Sequence, residues 1–169
     1  MDKIFGFSNK RAIINICIFV GLTVASTLIT YWQLKPFAVR TDISQLVHNE
    51  ITFMGILTNN LIVCTLAVAG IILFKVPSIL VLVINPIVLG FVLGVNWVST
   101  EQVAYFLKIL IPHAIFEIPA ISISCAIGME GKEFIRKYNR ASIARAGGLV
   151  IVLLMAAAFV ECNVSVGNI

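Results

Sequence analysis

Five stretches of the chain are apolar for long enough to predict helices that cross a bilayer, which takes roughly 20 mostly apolar residues. The first, Ile13 to Tyr31, holds no charged residue and closes on Tyr31-Trp32, an aromatic pair suited to the membrane surface. The second runs from Ile51 to Phe74, is interrupted by Asn59-Asn60 and a few threonines, and ends at Lys75-Val76-Pro77-Ser78. The third, Ile79 to Val95, contains Pro86. The fourth, Ala104 to Met129, carries Lys108, His113 and Glu117, and the fifth, Ala146 to Val160, is short and rich in glycine and alanine. No linker, low-complexity tract or internal repeat divides them. Residues 1–169 therefore read as one all-α domain, a polytopic membrane helix bundle of about five transmembrane helices.

Two longer stretches lie between the spans. Trp32 to Glu50 is nearly charge-balanced and has room for a short interfacial helix. Glu130 to Arg145 is basic, with Phe134, Ile135 and Tyr138 set among lysines and arginines. That pattern suits a solvated loop or a helix lying on the membrane surface.

Composition agrees with the pattern. Hydrophobic residues make up 60% of the 169 positions and charged residues 12%, about half of the roughly 25% carried by soluble domains. Mean hydropathy is +1.04. A soluble enzyme is thereby excluded.

Charge gives an orientation. With five spans, one side holds Lys3, Lys10, Arg11, Lys75, Lys132, Arg136, Lys137, Arg140 and Arg145, against only Lys35 and Arg40 on the other. This bias places the N-terminus in the cytoplasm and the C-terminus outside. The net charge of +4 then reflects topology and contact with anionic membrane lipid. No basic groove interleaved with aromatics is visible, so no nucleic-acid partner is expected. The first apolar run exceeds the roughly 7–15 residues of a signal-peptide core and is read as a retained anchor.

Candidate chemistry is confined to polar groups inside the spans. Ionisable residues there cost about 2.5–3.5 kcal/mol on insertion scales and are functional candidates by default. His113 and Glu117 are four residues apart within Ile111-Pro112-His113-Ala114-Ile115-Phe116-Glu117-Ile118-Pro119, and so share a helix face. Pro112 suits the first position of a helix, which predicts a fourth span broken or re-entrant at the Pro-His motif. The pair could bond each other and backbone groups released by the prolines, relay a proton or activate water, or contact a substrate. Two ligands do not make a metal site, and His48 lies outside the spans without a companion. Cys17, Cys64, Cys125 and Cys162 show no ligand spacing and imply no disulfide framework. No metal or cofactor is expected.

The remaining polar and small residues suggest packing. Asn59 and Asn60 point about 100° apart and can face two neighbouring helices. Pro86, Gly90 and Gly94 recur every four residues on one face, with Asn85 beside them, and Gly90-x-x-x-Gly94 allows close helix approach. Such a seam serves packing within the chain or a homo-oligomer. Gly147-Gly148 and Ala156 to Ala158 suggest close packing of the last span.

The order of these features resembles the stage II sporulation protein M-like membrane proteins. The corresponding residues are Asn59-Asn60, Ala69-Gly70, Asn85 with Gly90 and Gly94, and Pro112-His113 with Glu117, over roughly Phe53 to Met129. Pro86 stands where the family usually has glycine, and so does Ala114 after the histidine. Compact members of this family occur beside circular-bacteriocin genes. The resemblance therefore implies a non-catalytic component of the bacterial cell membrane for maturation, export or self-protection of a hydrophobic peptide. It also implies a separate ATPase or other membrane subunits, because the chain has no G-x-x-x-x-G-K-[ST]. The sporulation branch implies a different task, that of a scaffold in cell-envelope remodelling. A third reading is an intramembrane hydrolase or cyclase with His113 and Glu117 as its catalytic pair.

The orientation is directly testable. In a variant lacking the four native cysteines, Lys137→Cys should resist an impermeant thiol reagent in intact cells and react once the membrane is opened. Labelling from outside the intact cell would reverse the topology.

Overall fold

In the computed structural model, which describes residues 9–37, 52–100 and 103–166, the chain is an all-helical bundle with no strand among those residues. Its helices are α1 (Asn9–Leu34), α2 (Phe53–Val68), α3 (Val76–Thr100), α4 (Val103–Glu130), α5 (Lys132–Lys137) and α6 (Arg140–Val166). All but α5 provide spans long and apolar enough to cross a membrane, from 19 to 28 residues. The length of α6 exceeds the apolar run 146–160, because the helix continues through polar residues at both ends. Lys35–Phe37 forms a single 3₁₀ turn after α1. The rest of the interfacial helix suggested for Trp32 to Glu50, with Arg40 and His48, lies outside the described residues.

α4 is the central helix and packs against α1, α2, α3 and α6. Its inward residues are small or polar: Ala120, Ser122, Ser124, Cys125 and Ala126 are buried, with Ile121 and Ile127 the bulkier exceptions. Outward positions on the other helices carry Ile13, Ile29, Ile62, Val88, Val152 and Phe159, all exposed on the protein surface. This inversion is what lipid demands. Lipid tails are as apolar as leucine, so helices associate through close backbone approach and polar contacts rather than by hiding large side chains.

The seam between α1 and α3 shows how close that approach is. Gly90 and Gly94 lie against Thr23, Ser26, Thr27 and Thr30 of α1. A Cβ at Gly94 would stand 2.6 Å from Thr30 Cβ, and one at Gly90 would stand 2.6 Å from Ser26 Cβ. Pro86 is fully buried, and Ser26 Oγ donates to the Ile87 carbonyl at 2.8 Å. α4 is fastened similarly to the first helix, where buried Asn15 Nδ2 donates to the Ser122 carbonyl at 3.1 Å.

α2 and α3 are joined by a tight turn in which Phe74 (φ 53°) and Lys75 (φ 68°) take left-handed backbone. The Lys75 N–H donates to the Gly70 carbonyl at 2.9 Å, and Ser78 Oγ donates to the Ala67 carbonyl at 2.7 Å. These bonds satisfy carbonyls where α2 gives way to the turn. The same end of the bundle holds the start of α1 and the α4–α5 junction. There Arg11 pairs with Glu130 at 3.7 Å, and Ala12 packs with Phe134 and Ala146. Lys10, Arg11, Lys75 and the basic residues of α5 thus gather at one end. Phe134 is buried and stacks on Tyr138, while Ile135 is exposed. The opposite end carries Tyr31 against Trp97 with Lys35 over the Tyr31 and Trp32 rings.

α4 runs unbroken through Pro112 and Pro119. The break predicted at the Pro-His motif is absent, for a physical reason. Each proline costs one ladder bond, whereas a broken segment would leave several backbone groups to be satisfied away from water.

Overpacking a tight core position costs about 1–3 kcal/mol, so Gly90→Leu should lower thermal stability in detergent well below that of the exposed-site variant Phe91→Leu. Equal midpoints would show that α1 and α3 are not in close contact.

Candidate functional site

Near the end of the bundle opposite α5, three ionisable side chains from two helices meet. His113 lies within α4, three residues into its apolar stretch Leu110–Glu130. Its ring is buried, and Nε2 lies 2.5 Å from Glu117 Oε2 one turn along α4. On the other ring edge, Nδ1 lies 3.1 Å from Glu161 Oε2 and 3.3 Å from the Ala157 carbonyl, both on α6.

The Ala157 carbonyl can only accept, so Nδ1 carries a hydrogen and offers it to both α6 oxygens. Nε2 and Glu117 then share one proton, and that pair is neutral whichever atom holds it. His113 thus ties α4 to α6 with both ring nitrogens engaged. The two carboxylates stand on opposite edges of the ring and do not converge. Among the described residues no group of three His, Cys, Asp or Glu side chains is placed to hold a metal.

A cavity of about 130 Å³, partly open at the bundle surface, adjoins the histidine. Leu89, Val92 and Leu93 of α3 and Leu110 of α4 supply its apolar wall, and Asn96, His113 and Glu161 its polar groups. The α3 members follow helical spacing along one stripe. Gly90 and Gly94 face α1, so α3 presents one face to a neighbouring helix and another to the cavity. α3 and α6 both lean on α4 but make little contact with each other, which leaves a groove between them.

The other sequence candidates are dispersed. Asn60 is buried while Asn59 is exposed, and Asn85 is half-buried with Nδ2 donating to its own helix at the Val81 carbonyl, 3.0 Å away. Among the described residues none of these three hydrogen-bonds to His113, Glu117 or Glu161. Pro112 precedes the histidine on α4, and Pro86 belongs to the α1 seam.

Sequence reasoning missed Glu161, and with it the second helix of the site. A usable signal was present. The run Ala146 to Val160 is too short to span about 30 Å at 1.5 Å per residue, so the helix has to extend beyond it, and an extension past Val160 adds Glu161 to the span.

These features define a polytopic α-helical membrane protein with a buried imidazole held between two carboxylates. The chain belongs to the stage II sporulation protein M family, whose model matches residues 11–166. It is similar to an uncharacterised protein of Methanocaldococcus jannaschii, 28% identical over 142 residues, covering 73% of this chain and 77% of that protein. No solved structure matches it. Family membership supports a membrane-associated role.

The α4–α6 tie predicts energetic coupling. In a double-mutant cycle on detergent-solubilised protein, His113→Ala and Glu161→Gln should couple by about 0.5–3 kcal/mol, the range for residues in direct contact. Additive effects would show that His113 and Glu161 do not interact.

Proposed function

We propose that the protein is a non-catalytic membrane component that holds a hydrophobic peptide during maturation, export or self-protection. A circular bacteriocin is the client that the family resemblance suggests. The observation that carries this reading is the groove between α3 and α6, aliphatic along its α3 wall and closed at one end by His113 and Glu161. Its surface lies at membrane depth, where an apolar peptide would be found.

The site suits binding better than catalysis. Both nitrogens of His113 are engaged, so the ring offers no open lone pair to water or a nucleophile. Among the described residues no serine, threonine, cysteine or lysine lines the cavity. A separate ATPase would supply any energy for export. On the positive-inside rule the basic end faces the cytoplasm, and the polar end of the groove opens toward the outer surface. The sporulation branch of the resemblance implies a second reading, a scaffold for envelope remodelling.

A photo-crosslinking amino acid at position 93, introduced in cells that carry the neighbouring genes, separates these readings. A short apolar peptide joined to the protein is the expected product. Adducts with wall-remodelling proteins would favour the scaffold, and adducts with lipid alone would contradict the peptide reading. Glu117→Gln should preserve client output, because glutamine keeps the size and most of the hydrogen bonding. Normal protein abundance without mature client would instead make Glu117 a chemical group.

A further inference from the structure

Among the described residues the charges around His113 do not balance. The His113–Glu117 pair is neutral with its shared proton, and Glu161 adds a second carboxylate. Among the described residues the ion pairs of Glu117 and Glu161 are to His113 alone. Lys108, the cation nearest the motif in sequence, is exposed. An ionised carboxylate lining an aliphatic cavity is costly unless a proton or a cation accompanies it.

We propose that Glu161 is the counter-ion of a binding site for a primary ammonium group on a short aliphatic stem, the chemistry of a lysine side chain or a peptide amino terminus. This rests on the reading of the groove as a client site and names the group that the client presents there.

Three observations select that ligand. Glu161 Oε2 already accepts from the Nδ1–H of His113, so the two oxygens are not equally open to a second donor. A guanidinium prefers the two-oxygen fork, whereas an ammonium is a compact point charge that one oxygen can hold. The cavity of about 130 Å³ has aliphatic walls at Leu89, Val92 and Leu93 beside the polar Asn96, and an apolar cavity of about 150 Å³ admits a ligand the size of benzene. The carboxylates lie on opposite edges of the imidazole, so they do not form a cage for a metal ion.

The test uses the full chain in nonionic detergent, with thermal unfolding as the readout and three probes of one shape: pentylammonium, pentanol and pentanoate. Pentylammonium should raise the midpoint of the native protein saturably, and the other two should not. Loss of a charge-assisted hydrogen bond predicts an apparent affinity about tenfold weaker or more in Glu161→Gln. Leu93→Phe fills the cavity while keeping the carboxylate, and should also abolish the response; it decides the matter if Glu161→Gln does not fold. A response unchanged in either variant, an equal effect of pentanol, or no response in the native protein would overturn the proposal. Peptide capture at position 93 without an ammonium response would leave the client reading standing and remove this one. An ammonium response without peptide capture would do the reverse.

Discussion

In a bilayer, burying a leucine between helices gains little over leaving it in lipid, so the position of each helix must be fixed by contacts that lipid cannot imitate. Here the α1–α3 seam is the strictest of these. Gly90 and Gly94 bring the backbone of α3 onto the threonine and serine face of α1, and Ser26 adds a hydrogen bond across the joint. Once that face is committed, the adjoining stripe of Leu89, Val92, Leu93 and Asn96 has to look toward α4 and α6. The groove therefore follows from the seam. A wider α1–α3 contact would rotate or displace the wall against which a ligand would rest.

The second fixed relation is the tie from α4 to α6. His113 is an ionisable group within a membrane-length helix, and its ring is buried. It draws α6 toward α4 through Glu161 and Ala157 without closing the gap to α3. Rigid elements thus frame a small cavity that stays partly open at the bundle surface. The far end of the bundle is built differently. Arg11 and Glu130, the left-handed Phe74-Lys75 turn and short α5 form a basic platform, with Phe74 90% exposed where lipid headgroups would lie.

The helical class and the five spans were legible because run length and low charge density are one-dimensional properties. Facing was not, because helices apolar all round carry no amphipathic stripe. What marks the interior is size and polarity: Asn15, Ser78, Ser122 and Ser124 are buried, while Ile29, Ile62 and Phe159 are exposed. The spacing of Gly90 and Gly94 is a local signal, but nothing in it names α1 as the partner. His113 and Glu117 stand out because both lie within one apolar run. Glu161 is hidden because the last apolar run ends at Val160, directly before it. The helix does not break at Pro112 because proline's local cost is smaller than the cost of exposing backbone in lipid.

The relation most worth measuring is the placement of His113 between two carboxylates on different helices. Solid-state NMR of the bilayer-embedded protein, with ¹⁵N in the imidazole and ¹³C in the glutamate carboxyls, reads it directly. Dipolar coupling should connect Nε2 with the Glu117 carboxyl and Nδ1 with the Glu161 carboxyl, the latter vanishing in Glu161→Gln. An imidazole coupled to Glu117 alone would leave α6 untied and remove the polar end of the groove.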